Sequence, residues 1–243
     1  MGGYGALKIV MHHPEVFSSV YAISPGALTI VREYGPNSNT FKEMSSINTI
    51  EELKKTYFGG VMVAFGRSWS PNPSKPPFYC DLPFEYNEGE LTVHQDVLQK
   101  WYDNMPLHMI DDYLGNLQKL KAIKMDWGRN AGDRFTIQCD MFSQRLENVG
   151  ITHFAEEYIG THVSDIYTKQ GRIPQQVLPF FDEYLEILVV NVSDSWSFNN
   201  CFIAVFGHGQ KGITCSSVNN SAHSYRSYWR SGTRNYRFYD RGD

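Results

Sequence analysis

Residues 1–25 read MGGYGALKIVMHHPEVFSSVYAISP, and the fold follows from how that stretch divides. A glycine-rich start leads into an apolar, helix-favouring run over residues 3–13, which Pro14 ends because proline cannot continue a helix. Residues 17–23 are then β-branched and aromatic and close on Ser24-Pro25-Gly26, the composition of a strand entering a turn. A helix followed at once by a strand is half of a repeating α/β unit.

The alternation returns downstream. Residues 121–127 (KAIKMDW) read as a strand, 136–149 as a helix stopped by Gly150, and 153–159 as a strand stopped by Gly160. Val177, Phe180, Phe181, Tyr184, Leu185 and Leu188 fall on one face of a further helix. Strands separated by helices imply an α/β fold with a mostly parallel sheet covered on both faces. Residues 91–120 carry helical periodicity, read as two helices broken near Pro106.

Between these parts the pattern weakens. Residues 37–90 are expected to form a loop-rich insertion with one short helix at 50–57. Within it, SWSPNPSKPPFYCDLPF (68–84) holds five prolines, which exclude a regular interior element. Irregular chain of that length is expected over a site, with Trp69, Phe78 and Tyr79 as candidate substrate-binding residues; the competing reading is an ordinary surface loop.

Composition bounds the partners. The chain has 243 residues, is 42% hydrophobic and has a formal charge of −4, so it can bury a sizeable core. The charge gives no reason to expect nucleic acid or an anionic membrane. No apolar run approaches the roughly 20 residues that span a bilayer, and the N-terminus has no leader pattern; compartment and oligomeric state stay open. Cys80, Cys139, Cys201 and Cys215 form no CxxC pair and the histidines follow no ligand spacing, so neither a metal nor a cofactor is expected.

From residue 189 the composition changes. The tail from 188 carries six Lys or Arg against three Asp or Glu and ends in SYRSYWRSGTRNYRFYDRGD. No repeat or amphipathic period organises it, so a poorly ordered extension of unknown role is expected, ahead of stacking on single-stranded nucleic acid. Asn191 and Asn219 begin glycosylation patterns, which are frequent by chance.

Three segments carry candidate chemistry. A glycine-rich helix start suits either a phosphate or the second half of a strand–turn–helix nucleophile elbow, G-x-S-x-G. After KAIKMDW comes GRNAGDRF, and after HFAEEYIG comes THVSDIY, so Asp133 and His162 each follow a strand, at the edge where open α/β sheets bind ligands.

Together these segments resemble the esterase branch of the α/β-hydrolases that includes esterase D (S-formylglutathione hydrolase), enterochelin esterases, feruloyl esterases and mycolyltransferases. The carriers are MGGYGALKIVMHHPEVFSSVYAISP, the D-x-G-x(4)-D pattern from Asp126 to Asp133, and Gly160-Thr161-His162. The resemblance covers residues 1–188 and implies the C-terminal part of an α/β-hydrolase domain acting on a small-molecule carboxylic ester or thioester. In that family the elbow reads G-H-S-M-G-G-Y-G-A, so the nucleophile would be the residue immediately before Met1.

By the resemblance, His162 is the general base, Asp133 the acid that orients it, and the Met1 and Gly2 region the elbow that supplies half of the oxyanion hole. Asp126 is the rival acid, and the family order favours Asp133. Ser24 lacks the elbow glycines and is expected to be a structural strand end. Without a serine before Met1 or an upstream oxyanion loop, the 243-residue chain is expected to be N-terminally truncated and inactive; the alternative is a non-catalytic remnant that binds a ligand or partner.

Overall fold

The computed structural model describes residues 1–56 and 58–185. The expected extension at 189–243, with its two glycosylation patterns, Cys201, Cys215 and the helical position Leu188, lies outside the described residues.

The chain begins with helix α1 (Gly2–His12) and strand β1 (Ser19–Ile23), as its first 25 residues predict. Strand β4 (Ala122–Gly128), helix α8 (Asp133–Asn148) and strand β5 (Phe154–Tyr158) follow late in the chain. These strands form one parallel sheet in the order β1-β4-β5, with Ser19 paired to Ala122 and Lys124 to Phe154. Helix α8 is the crossover that makes β4 and β5 parallel neighbours.

Alternation along the strands divides the core. Val20, Ala22, Ile123, Met125 and Trp127 turn to one face and pack with Leu7 and Met11 of α1 and with Phe142 and Leu146 of α8. Tyr21 and Ala122 turn to the other, onto Val177, Phe180 and Phe181. There a π-helical turn (Ile173–Val177) runs directly into helix α9 (Leu178–Tyr184). Each buried Leu or Phe contributes about 1.5–3 kcal/mol of transfer free energy, so helices cover both faces of the sheet. Gly3 is required at the α1–β1 contact, since a Cβ there would lie 2.7 Å from the Ile23 carbonyl oxygen.

The region expected to be loop-rich is different. Residues 37–90 contain helices α2 (Asn39–Met44), α3 (Ile50–Leu53) and α4 (Gly59–Trp69) and strand β2 (Phe84–Asn87). Strand β3 (Glu90–Val93) pairs antiparallel with β2 around Glu88 and Gly89, both at positive φ. Helix α5 (Gln95–Tyr102) then leads to the short helices α6 (Pro106–Met109) and α7 (Leu114–Leu117). Phe41, Met62, Phe65, Trp69, Phe84, Trp101 and Met105 gather into a second hydrophobic cluster. The periodicity of α4 is diluted by Gly59, Gly60 and Gly66, and tertiary packing outweighs their poor propensity. The proline-rich segment itself stays irregular between Pro71 and Pro83, held by a bridge between Pro71 and Cys80.

Candidate functional site

The carboxyl ends of β4 and β5 bring the sequence candidates to one edge. After β4 the chain makes a 3-10 turn (Arg129–Ala131), and α8 begins at Asp133, three residues earlier than the sequence predicts. Asp133 therefore occupies the first helical turn, where the helix dipole favours a carboxylate, and not a free loop. After β5 the chain turns through Gly160 and Thr161 to His162. Gly128 allows this loop to cross the end of β4, because a Cβ would lie 2.4 Å from the Gly160 carbonyl oxygen.

A buried ion pair anchors the His162 loop. Arg172 and Asp126 are 7% and 2% exposed, and Arg172 Nη1 lies 2.5 Å from Asp126 Oδ1. Tyr21 donates to Asp126 Oδ2 at 2.9 Å, and the Ser24 N–H donates to Oδ1 at 3.3 Å. Arg172 Nε donates to the Ser164 carbonyl at 3.1 Å, its guanidinium covers the Tyr158 ring at 4.2 Å, and Tyr158 Oη donates to the Thr161 carbonyl at 2.8 Å. Burial pushes the Asp126 carboxyl upward, with Arg172 and Tyr21 opposing the rise. The rival acid is thus committed to holding β1, β4 and the His162 loop together. Ser24, buried at φ 43°, has its hydroxyl 3.3 Å from Tyr158 Oη and is part of the same anchor.

His162 is partly buried, with its ring stacked on Phe135 at 4.0 Å. Burial pushes its pKa down to about 4, reinforced by the positive charges of the Met1 amino group, Arg134 and Arg172. It is a neutral imidazole at pH 7, the form that can accept a proton. Its Nδ1 is buried without a hydrogen-bond partner. Asp133 and His162 share this edge, therefore, but no hydrogen bond joins them.

One cleft reaches this edge through Asp133 and a second starts at Met1; His162 is in the lining of neither. The first, of about 480 Å³, is polar: Asp133 lines it with Arg32, Glu33, Ser38, Glu43 and Phe58. Arg134 lies over both Phe58 and Phe135, at 5.0 and 5.1 Å, which links this cleft to the His162 ring. The second, of about 520 Å³, begins at Met1 and runs past Tyr4 and Lys8 on one side and Val61, Ala64, Phe65 and Trp69 on the other. Met1 caps α1, its carbonyl accepting from the Gly5 N–H at 2.9 Å, so the elbow candidates Met1 and Gly2 stand at the mouth of this second cleft.

Of the three pocket aromatics predicted, Trp69 lines that cleft, stacked on Phe65 at 4.5 Å. Phe78 packs against the second hydrophobic cluster, and Tyr79 is exposed beside Arg67; neither is among the residues lining the described clefts. Sequence reasoning missed Arg172, Phe135 and the α4 face. An arginine in GRIPQQ carries no motif, and Phe135 gains its role solely from the turn that stacks it on His162. Among the described residues no group of three or more His, Cys, Asp or Glu is arranged to hold a metal, and no helix is long and apolar enough to cross a membrane. No protein-family model matches the chain, and none of the curated proteins matches it.

Proposed function

We propose that this chain carries the histidine and acid of a serine-type carboxylic ester or thioester hydrolase, with the nucleophile supplied by a serine immediately before Met1. One observation carries the reading: His162 stacks on Phe135, which lies against Gly26 in the turn after β1, and Gly3 of the glycine-rich helix α1 abuts Ile23 and Pro25 of that same turn, so the partly buried ring and the start of α1 share one edge. A serine at that point would have a base of the right protonation state beside it. Met1, as the residue after the nucleophile, would present its backbone N–H to the oxyanion. Asp133 would reach Nδ1, which has no partner of its own, and would fix the tautomer and stabilise the imidazolium.

The missing contact between Asp133 and His162 favours a second reading, a non-catalytic module that binds a ligand in the two clefts. Hydrolysis of p-nitrophenyl acetate separates them. Under the hydrolase reading the 243-residue chain hydrolyses no faster than buffer, whereas the chain preceded by a strand ending in Gly-x-Ser gains turnover that His162→Ala reduces about a thousandfold or more. Turnover by the 243-residue chain that His162→Ala abolishes, or turnover by the extended chain that ignores His162→Ala, would contradict it.

A further inference from the structure

The cleft that starts at Met1 is a groove between two helices, and its lining is chemically uneven. Helix α1 contributes Met1, Tyr4 and Lys8, spaced to lie along one helical face. Helix α4 contributes Val61, Ala64, Phe65, Ser68 and Trp69. No aspartate or glutamate lines the groove, and its one charged side chain is Lys8.

Lys8 has one hydrogen-bond partner among the described residues. Its ammonium has three N–H donors, one of which goes to Asn104 Oδ1 at 2.6 Å. The Asn104 amide N–H is spent on the Lys100 carbonyl, and the Tyr4 ring lies 5.8 Å from Nζ. No carboxylate is within ion-pair distance of Lys8 among the described residues. Burial lowers its pKa, as expected for a partly buried cation beside apolar side chains. Seven residues of helix at about 1.5 Å each put Lys8 about 10 Å along α1 from Met1.

We propose that the groove seats an elongated acyl chain whose far end carries a carboxylate, with the apolar body between α1 and α4, the terminal carboxylate on Lys8 and the reacting carbonyl at Met1. This rests on the hydrolase reading for the orientation of the chain, and it narrows the substrate class to half-esters of straight dicarboxylic acids with about six to eight carbons. The apolar walls reject a charge anywhere along the body, and Lys8 accepts one at the end. A neutral acyl chain of the same length would bring hydrocarbon against the partly buried Lys8 ammonium in place of water and offer its two remaining N–H donors no acceptor in exchange.

Binding can be read without catalysis, because Trp69 lines the groove. The 243-residue protein is titrated with monomethyl suberate and with methyl octanoate while tryptophan fluorescence is followed, with Trp69→Phe identifying the responding indole. The proposal expects monomethyl suberate to bind about tenfold or more tightly than its neutral counterpart, and Lys8→Met and Lys8→Gln each to abolish the difference. Equal binding of the two esters, a preference that survives both substitutions, or no saturable response from Trp69 would overturn it. Because these titrations involve no hydrolysis, they separate the two ideas. A carboxylate preference in a protein that the Gly-x-Ser extension fails to activate keeps the groove and loses the hydrolase, and hydrolysis without the preference does the reverse.

Discussion

The carboxyl edge of the sheet, with its His162 loop, and the α2–α5 region are held by opposite means. At the sheet edge a buried guanidinium and carboxylate, two tyrosines and a serine fix the chain by directed hydrogen bonds. In the other region Phe65, Trp69 and Trp101 pack ring against ring, with Trp101 edge-on to Trp69 at 5.4 Å and to Phe65 at 5.9 Å. One polar tie inside it, from Trp101 Nε1 to Ser70 Oγ at 2.9 Å, satisfies the indole. The difference teaches where each kind of interaction is worth using. Directed bonds set the position of the loop that carries His162, while non-directional aromatic area shapes a groove wall.

Two substitutions test that contrast at its largest. Trp101→Ala empties a fully buried site and should cost about 3–5 kcal/mol in chemical denaturation. Arg172→Met takes the cation from buried Asp126, which keeps Tyr21 and the Ser24 N–H, and should cost about as much, about 3–5 kcal/mol. They part with pH: the Arg172→Met deficit shrinks as pH falls and Asp126 takes up a proton, whereas the Trp101→Ala deficit stays constant. Parallel pH dependence of the two variants would remove the distinction.

Gln138 joins the two regions. Its Oε1 accepts from the Leu28 N–H at 2.6 Å and its Nε2 donates to Tyr34 Oη at 3.0 Å, all within the interior. Gln138→Leu should cost about 1–3 kcal/mol through the orphaned Leu28 N–H; if the regions were independent, unfolding of the variant would split into two transitions where the parent shows one. At the small end, Thr49→Ala removes a capping box with Glu52 on α3 and should cost about 1 kcal/mol, with no effect on the His162 titration.

That titration is a prediction of its own. Proton NMR should place the His162 midpoint at about 4, not the ordinary 6.5. Between those values the unfolded chain binds the proton first, so the stability that neutral His162 contributes is complete above pH 6.5 and is lost as pH falls toward 4. A midpoint near 6.5 would mean that the ring is solvated and not set against Phe135 and the positive groups.

The sheet was largely legible because β1 and β4 are rich in buried apolar residues and its strands close on or just before glycine or Ser-Pro-Gly: β1 and β4 lie within two residues of the expected spans. The α4 region was not. Three glycines and a flanking proline run hide a helix whose stability comes from Trp101 and Cys80, residues distant in sequence. The site divides the same way. His162 and Asp133 follow from strand order, but the Asp126–Arg172 anchor joins residues 46 positions apart, and no local pattern announces a partner at that distance.

The most direct test of the hydrolase reading is to determine the in-frame codons immediately preceding Met1. Codons for a β-strand ending in Gly-x-Ser are the predicted result, and they would place the nucleophile beside His162. A stop codon, or any residue other than serine at that position, would contradict the reading and favour the non-catalytic one.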